Sequence, residues 1–403
     1  MDPRSRIVAA PGGDLFGCVS RHDWEARRFY IPPDSNAQGW TLVTRRPPKP
    51  TSRATISDSL SDHELKAKLT EIVDRETWED FVSKQEFAPF LQSWPWGEFQ
   101  ESVGHRVLRL ALINSDRVAA CAQVIIGRRK LASYAYVPYG PVLDWSNPEQ
   151  VGTFLIALRD AIAAHGVDYL RVEPRIERSA EISTAMGRSG FRKAPGAGQF
   201  DDGWVLDLGE TEESILSNMR ANTRYRIRQS AKKGVVITES TSAADVGILY
   251  ELLQMTAGRQ QFRSHARSYF QKQFEVLSRY GLSKLLMSNL GEEHLAVAEI
   301  VDYGDTSNYL HGGSAIKSQI GAAHLLHWTA IQMAKRAGRR LYDFGGATTS
   351  TSPKHRWHGM TWFKQGFGGR MVHLVGAWDY PISRRYRLVW AVENFQKLLR
   401  RVH

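Results

Sequence analysis

Hydrophobic positions change period along the chain in a regular succession. "HRVLRLALI" (105–113), "NSDR" (114–117) and "VAACAQVII" (118–126) set two β-rich runs around a polar turn, which predicts strand–turn–strand. "LASYAYVPYGPV" (131–142) predicts a further strand. In "VGTFLIALRDAIAAHG" (151–166), Phe154, Leu155, Leu158 and Ile162 share one helical face, and Gly166 stands where a helix ends. "VDYLRVEP" (167–174) predicts a strand stopped by Pro174. The succession then returns. "SKLLMSNL", "GEEH" and "LAVAEIVDY" (283–303) predict strand–turn–strand, and "SNYLHGGSA" (307–315) a strand ending in glycines. "AAHLLHWTAIQMAKRAG" (322–338) predicts a helix closed by Gly338, and "RRLYDFGG" (339–346) a strand.

Gly166 and Gly338 are 338 − 166 = 172 positions apart, and Ala120 and Ala296 are 296 − 120 = 176 apart. A repeat of that size predicts two copies of one α/β domain rather than a solenoid. Each copy runs antiparallel meander, helix, further strand, which is the order of the acetyltransferase (GNAT) type. The expected class is therefore α/β (α+β): two tandem GNAT-like domains with mixed sheets. Residues 1–64 read as a Pro/Arg-rich extension, with "TRRPPKPTSR" (44–53) as a polyproline-like linker. The first domain is expected over 65–205 and the second over 206–374. A terminal helix within 375–403 is expected to pack back on the first. Fold class alone says little about chemistry.

Composition narrows the partners. Lys plus Arg exceed Asp plus Glu by 53 − 42 = 11, with a pI near 9.6, a balance that suits a polyanion: nucleic acid, a phosphorylated substrate or an anionic membrane. Two cysteines, Cys18 and Cys121, build neither a disulfide framework nor a Cys-rich zinc site. "MDPRSRIVAA" has no apolar signal-peptide core, and no run approaches 18 uncharged apolar residues, so the expected compartment is the cytoplasm. "DFG" (343–345) lacks the other kinase motifs and reads as a strand-end turn. His324 and His327 have no convergent acid or thiol in the sequence, so no metal is expected.

Six motifs occur in order: "LQSWPWGEFQ" (91–100), "YVPYGPV" (136–142), "NTRYRIRQSAKKGV" (222–235), "YLHGGSA" (309–315), "LYDFGG" (341–346) and "WFKQGFGG" (362–369). Together they resemble the Fem family of peptidoglycan-bridge aminoacyltransferases, over residues 68–403. The resemblance implies twin GNAT-like domains and transfer of an amino acid from aminoacyl-tRNA to an amino group on a stem peptide. The acceptor would be a UDP-linked muropeptide or lipid II, and no cofactor is implied. Some members carry a coiled-coil arm. No sustained heptads run between 206 and 300, so the chain resembles the armless form. With a lipid-linked acceptor, peripheral contact with the anionic inner face of the plasma membrane is expected.

Lys364 corresponds to the family's lysine and is the expected catalytic group. An ammonium in a dry pocket stabilises the charge that builds on the carbonyl oxygen as an amine attacks the ester. Phe363 and Phe367 would exclude water, and Gly366, Gly368 and Gly369 would let backbone and substrate approach. A lysine snorkelling over aromatics at a turn gives the same string. "MRANTRYRIRQSAKKG" (219–234) is expected to continue a helix that starts near Thr211. Arg220, Arg224, Tyr225, Arg228 and Lys232 on it are candidates for tRNA or precursor phosphates, against the plainer alternative of a solvated basic helix. In "RQQFRSHARSYFQKQF" (259–274), Tyr269 matches the family's precursor-binding tyrosine. His265 occupies the spacing of the family arginine, with Arg263 and Arg267 on either side as substitutes. Tyr309 also matches, while His311 stands where an armless member can carry tyrosine. Trp94 and Trp96 remain in the first motif, Trp96 as a candidate contact, but Glu98 and Gln100 replace an expected lysine. Two other functions compete. One is an acyl-CoA-dependent GNAT N-acyltransferase, disfavoured by the degenerate phosphate loop "SQIGAA" (318–323). The other is a non-catalytic nucleic-acid or membrane-surface binder.

Overall fold

The computed structural model describes residues 68–260, 264–315 and 320–402. The expected extension over 1–64 and Arg263 lie outside the described residues. The first half opens with β1 (Thr70–Glu71), α1 (Arg75–Val82) and α2 (Trp94–Ser102). The hairpin β2 (Arg106–Asn114) and β3 (Arg117–Arg128) follows, turning at Ser115 and Asp116 with positive φ. Next come β4 (Ser133–Tyr139), β5 (Val142–Leu143), α3 (Pro148–Ala163), β6 (Tyr169–Pro174), α4 (Ala180–Arg188) and β7 (Arg192–Lys193). The second half holds β8 (Asp202–Asp207), α5 (Glu212–Asn218), α6 (Ala221–Lys232), β9 (Val236–Ser240), α7 (Val246–Gln260) and α8 (Arg267–Arg279). It continues through β10 (Ser283–Leu290), β11 (Glu293–Tyr303), β12 (Thr306–Ser314), α9 (Ala322–Arg336) and β13 (Leu341–Gly346). Last are α10 (His358–Gln365), β14 (Arg370–His373), β15 (Trp378–Pro381) and α11 (Tyr386–Val402).

The two sheets repeat one plan, and the expected α/β class with mixed sheets is what the chain adopts. The first runs β1-β2-β3-β4-β6-β15-β7 with β5 on β3; the second runs β14-β8-β13-β12-β11-β10-β9. In each, an antiparallel meander leads through a helix to a strand lying parallel to the meander's last: β4 with β6, β12 with β13. That crossover helix covers one sheet face. On α3, Phe154, Leu155, Leu158 and Ile162 are all fully buried against alternate residues of β2, β3 and β6. Each such side chain contributes about 1.5–3 kcal/mol on burial. Helix α9 does the same for β10, β11 and β13.

Each half lends a strand to the plan from outside its own meander. Strand β8 pairs with β13 and β14, so the expected junction at 205/206 falls inside a strand of the second sheet. Strand β15 pairs with β6 and β7, and α11 follows it onto the first sheet. The other sheet faces meet in a mixed core. Trp78, Phe90, Trp96 and Tyr139 of the first half pack with Val276, Leu277, Val301 and Tyr303 of the second.

The single helix expected from Thr211 to Gly234 is two helices. Thr211 caps α5 through Ser214 N, and Gly234 follows α6 with φ +83°, as the pattern predicts. Between them Met219 and Arg220 are extended, with ψ 153° and 143°. Met219 is buried, and Arg220 N donates to Gly366 O at 2.9 Å. A tertiary hydrogen bond and a core side chain override local helix propensity here.

Candidate functional site

Helix α10 places Lys364 in its last turn. The helix stops because the chain must then pass close to its neighbours. A Cβ at Gly369 (φ +86°) would lie 2.2 Å from Val205 O, and one at Gly366 would lie 2.4 Å from Thr223 Oγ1. These two glycines therefore serve backbone packing against β8 and α6. Close approach of neighbouring chain is the part of the expectation that these two positions show.

Lys364 is 3% exposed. Its Nζ donates to Gly346 O, the carbonyl that ends β13. Burial pulls its pKa down to about 7, and the carboxylate of Asp343 partly opposes that pull. Aromatic rings exclude water around this end of the sheet. His327 of α9 lies 4.6 Å edge-on to Tyr309, 5.4 Å from Phe363 and 5.7 Å from Phe367. Burial, helped by the Lys364 charge, drives the His327 pKa down to about 3, so the ring is neutral, and its Nδ1 pairs with Tyr342 OH at 2.9 Å.

The irregular end of β13 that presents Gly346 O is held from both halves. Asp343 Oδ1 accepts from Gly345 N at 2.7 Å, and Gly345 has φ +74°. The "DFG" string, which the sequence predicts as a strand-end turn, lies within β13 itself, where the pairing with β8 shifts register between Asp343 and Gly346. Asp343 Oδ2 accepts from Arg175 Nη2, which also donates to Asn308 Oδ1 at 3.0 Å. Arg175 lies just after β6, is 5% exposed, and is sandwiched over Phe87 and Tyr139 at 4.0 and 4.6 Å. A first-half arginine therefore fixes the second-half carboxylate that faces the lysine.

Lys364, Phe363 and Tyr309 come together in this cluster. The other expected residues lie elsewhere. Tyr269 stacks on His265 at 3.9 Å and meets Phe99 of α2 edge-on at 5.0 Å. Arg267 lies against α7, where a Cβ on Gly247 would be 2.6 Å from its Nη2. Trp96 is a correction: at 4% exposure it is packed between Phe90 and Phe99, so it is core. Arg224 also turns back on the chain, donating to Ser217 O of α5 and to Met219 O just after it. Arg220 docks on α10, with Nη1 on Trp362 O at 3.2 Å and Nη2 on Gln365 Oε1 at 3.0 Å. Tyr225, Arg228 and Lys232 are exposed, and their i, i+3, i+7 spacing puts them on one face of α6. Beside them Tyr225, Arg226, Gln229, Lys233 and Ile320 line a groove of about 300 Å³.

Sequence reasoning missed Arg175, Asp343, His327 and the Gly346 carbonyl. Asp343 carried one signal, an aspartate two residues before a glycine at a strand end. Arg175 carried none, since its partner is 168 residues away.

Residues 73–287 and 282–394 match the model of the FemAB family. The lipid II:glycine glycyltransferase of Staphylococcus aureus (strain USA300) is 19% identical over 396 residues, covering 78% of this chain and 93% of that protein. Among solved structures, FemX has a TM-score of 0.73 at 18% identity, covering 81% of this chain and all of that one. At that identity the likeness establishes a shared fold.

Proposed function

The chain belongs to the FemAB family, and on that premise we propose that it is a tRNA-dependent aminoacyltransferase that extends the stem peptide of a cell-wall precursor. The observation that carries this is the Lys364 ammonium, 3% exposed and directed at the end of β13 among aromatic rings. Lipid II is the first acceptor to consider and glycine the first amino acid, because the Staphylococcus relative is named for both.

The amino nitrogen of the acceptor attacks the ester carbonyl of aminoacyl-tRNA. A C–N bond forms, the C–O bond to the ribose breaks, and the proton lost by the amine ends on the ribose hydroxyl. Between these events the carbonyl oxygen carries negative charge. An ammonium has three donors. Gly346 O takes one, and another meets that oxygen. Low dielectric strengthens the contact, and the oxygen needs it most when it is charged. The Arg175–Asp343–Gly345 chain holds the end of β13 in place, so the lysine does not reorganise during reaction. On the tRNA side, Tyr225, Arg228 and Lys232 of α6 form a cationic face with one aromatic, suited to phosphate and base. Arg220 couples that helix to α10.

The test is to incubate the protein with mixed charged tRNA and lipid II and to weigh the products. The expected outcome is acceptor heavier by one aminoacyl residue. Lys364→Ala should lower the rate by about 10²–10³, and Arg228→Glu with Lys232→Glu should weaken tRNA binding. Product made from acetyl-CoA without tRNA, or unimpaired turnover by Lys364→Ala, would overturn the proposal.

A further inference from the structure

Helix α11 has two unlike sides. Tyr386 and Val389 are buried against Tyr134, Tyr136 and Tyr169 of the first sheet. Glu393 reaches inward, 2.8 Å from Arg171 Nη2 and 3.6 Å from Arg129 Nη1. The helix is thus anchored by one side. Its spacing puts positions 388, 392, 395 and 398 on the other. There Leu388 is 56% exposed, Val392 41%, Phe395 61% and Leu398 60%. A single exposed leucine needs no explanation, but an aligned ridge of four large apolar side chains marks an interaction surface.

The exposed charges along the helix and the hairpin beside it are cationic. Arg384, Arg385 and Arg387 are exposed at its start and Lys397 near its end. The hairpin between β3 and β4 exposes Arg128, Lys130 and Leu131, and shares a concavity of about 240 Å³ with Arg385. The nearby acids are engaged. Asp168, in the same concavity, accepts from Ser133 and Ser383, and Glu393 is tied to Arg171.

We propose that α11, with the β3–β4 hairpin beside it, is a docking surface for an anionic phospholipid bilayer. The apolar ridge enters the boundary between headgroups and acyl chains, and the arginines meet lipid phosphates. Charge argues against a second copy of the chain as occupant: a two-fold contact through the ridge would set this cationic rim, positive at both ends of the helix, against itself. The ridge is also one helix wide, while a stable dimer buries about 1,200–2,000 Å². The inference deepens the proposed function, and rests on it only for the lipid-linked acceptor that such docking would bring within reach.

The experiment is co-sedimentation of the full chain with two kinds of vesicle, neither containing donor or acceptor. One is phosphatidylcholine alone; the other is a roughly 2:1 mixture of phosphatidylcholine and phosphatidylglycerol. The wild type should pellet with the mixed vesicles, about tenfold or more tighter than with phosphatidylcholine, and lose binding as salt rises. Leu388→Glu with Phe395→Glu should lose that binding about tenfold, with thermal unfolding and transfer in detergent solution unchanged. Arg384→Glu with Arg385→Glu should lose the preference for phosphatidylglycerol. Three results overturn the proposal: wild type left in the supernatant, equal binding by the apolar variant, or a dimer in light scattering that Phe395→Glu dissolves. Transfer activity is read separately, so either proposal fails without the other.

Discussion

At the scale of the residue, Lys364 carries its charge where there is almost no water. Its pKa falls from 10.5 to about 7 on folding, chiefly through burial. Below pH 7 both folded and unfolded forms are protonated, and the buried charge weighs fully against the fold. Between about 7 and 10.5 the unfolded state binds the extra proton, so stability rises with pH across that window. Lys364→Met should therefore stabilise the protein at pH 6 by on the order of 4 kcal/mol, a gain that fades toward pH 10.5. Denaturant titrations of both proteins at three pH values measure it. A variant no more stable than wild type at pH 6 would mean that the ammonium is solvated. If Lys364→Ala also loses activity, that destabilisation marks a functional group rather than a packing one.

At the scale of the element, α11 and β15 depend on one buried arginine. Arg171 donates Nε to Asp379 Oδ1 at 2.7 Å and Nη2 to Asp379 Oδ2 at 2.8 Å, and Tyr386 OH donates to Oδ2 at 2.9 Å. Asp379 is fully buried and Arg171 nearly so. Asp379→Ala removes the larger share of the compensation for a buried guanidinium, leaving Glu393. The expected cost is about 3–5 kcal/mol, while Arg171→Met with Asp379→Leu should cost much less because no guanidinium is stranded and Glu393 keeps Arg129. Urea unfolding of the single and double variants separates the two outcomes. The same scale explains the break between α5 and α6. Residues 211–233 carry good helix formers, yet Arg220 N bonds to Gly366 O and turns the chain. Helix propensity is worth tenths of a kcal/mol per residue, less than burying Met219.

At the scale of the whole molecule, the halves share a core rather than a linker. Tyr303 OH of the second sheet donates to Glu79 Oε2 at 2.7 Å, and Asp305 accepts from Phe87 N and Ala88 N. Arg175 and Asp343 add a buried ion pair across the same seam. Calorimetry should accordingly show one unfolding transition for both halves, with calorimetric and van't Hoff enthalpies in agreement. Two resolved transitions would show that each half folds alone.

Sequence by itself determined the local periods and their duplication. The meanders, helices α3 and α9, the glycines that end them and the family motif around Lys364 are all legible, because alternation and 3.6-residue spacing are properties of contiguous residues. Only tertiary structure decided that β8 and β15 complete sheets remote in sequence, that Trp96 is core, and that Arg175 locks Asp343 beside the lysine. The strand pairings and the ion pair join residues more than a hundred positions apart. No local pattern encodes them, because the free energy that selects them comes from excluding water from both partners at once.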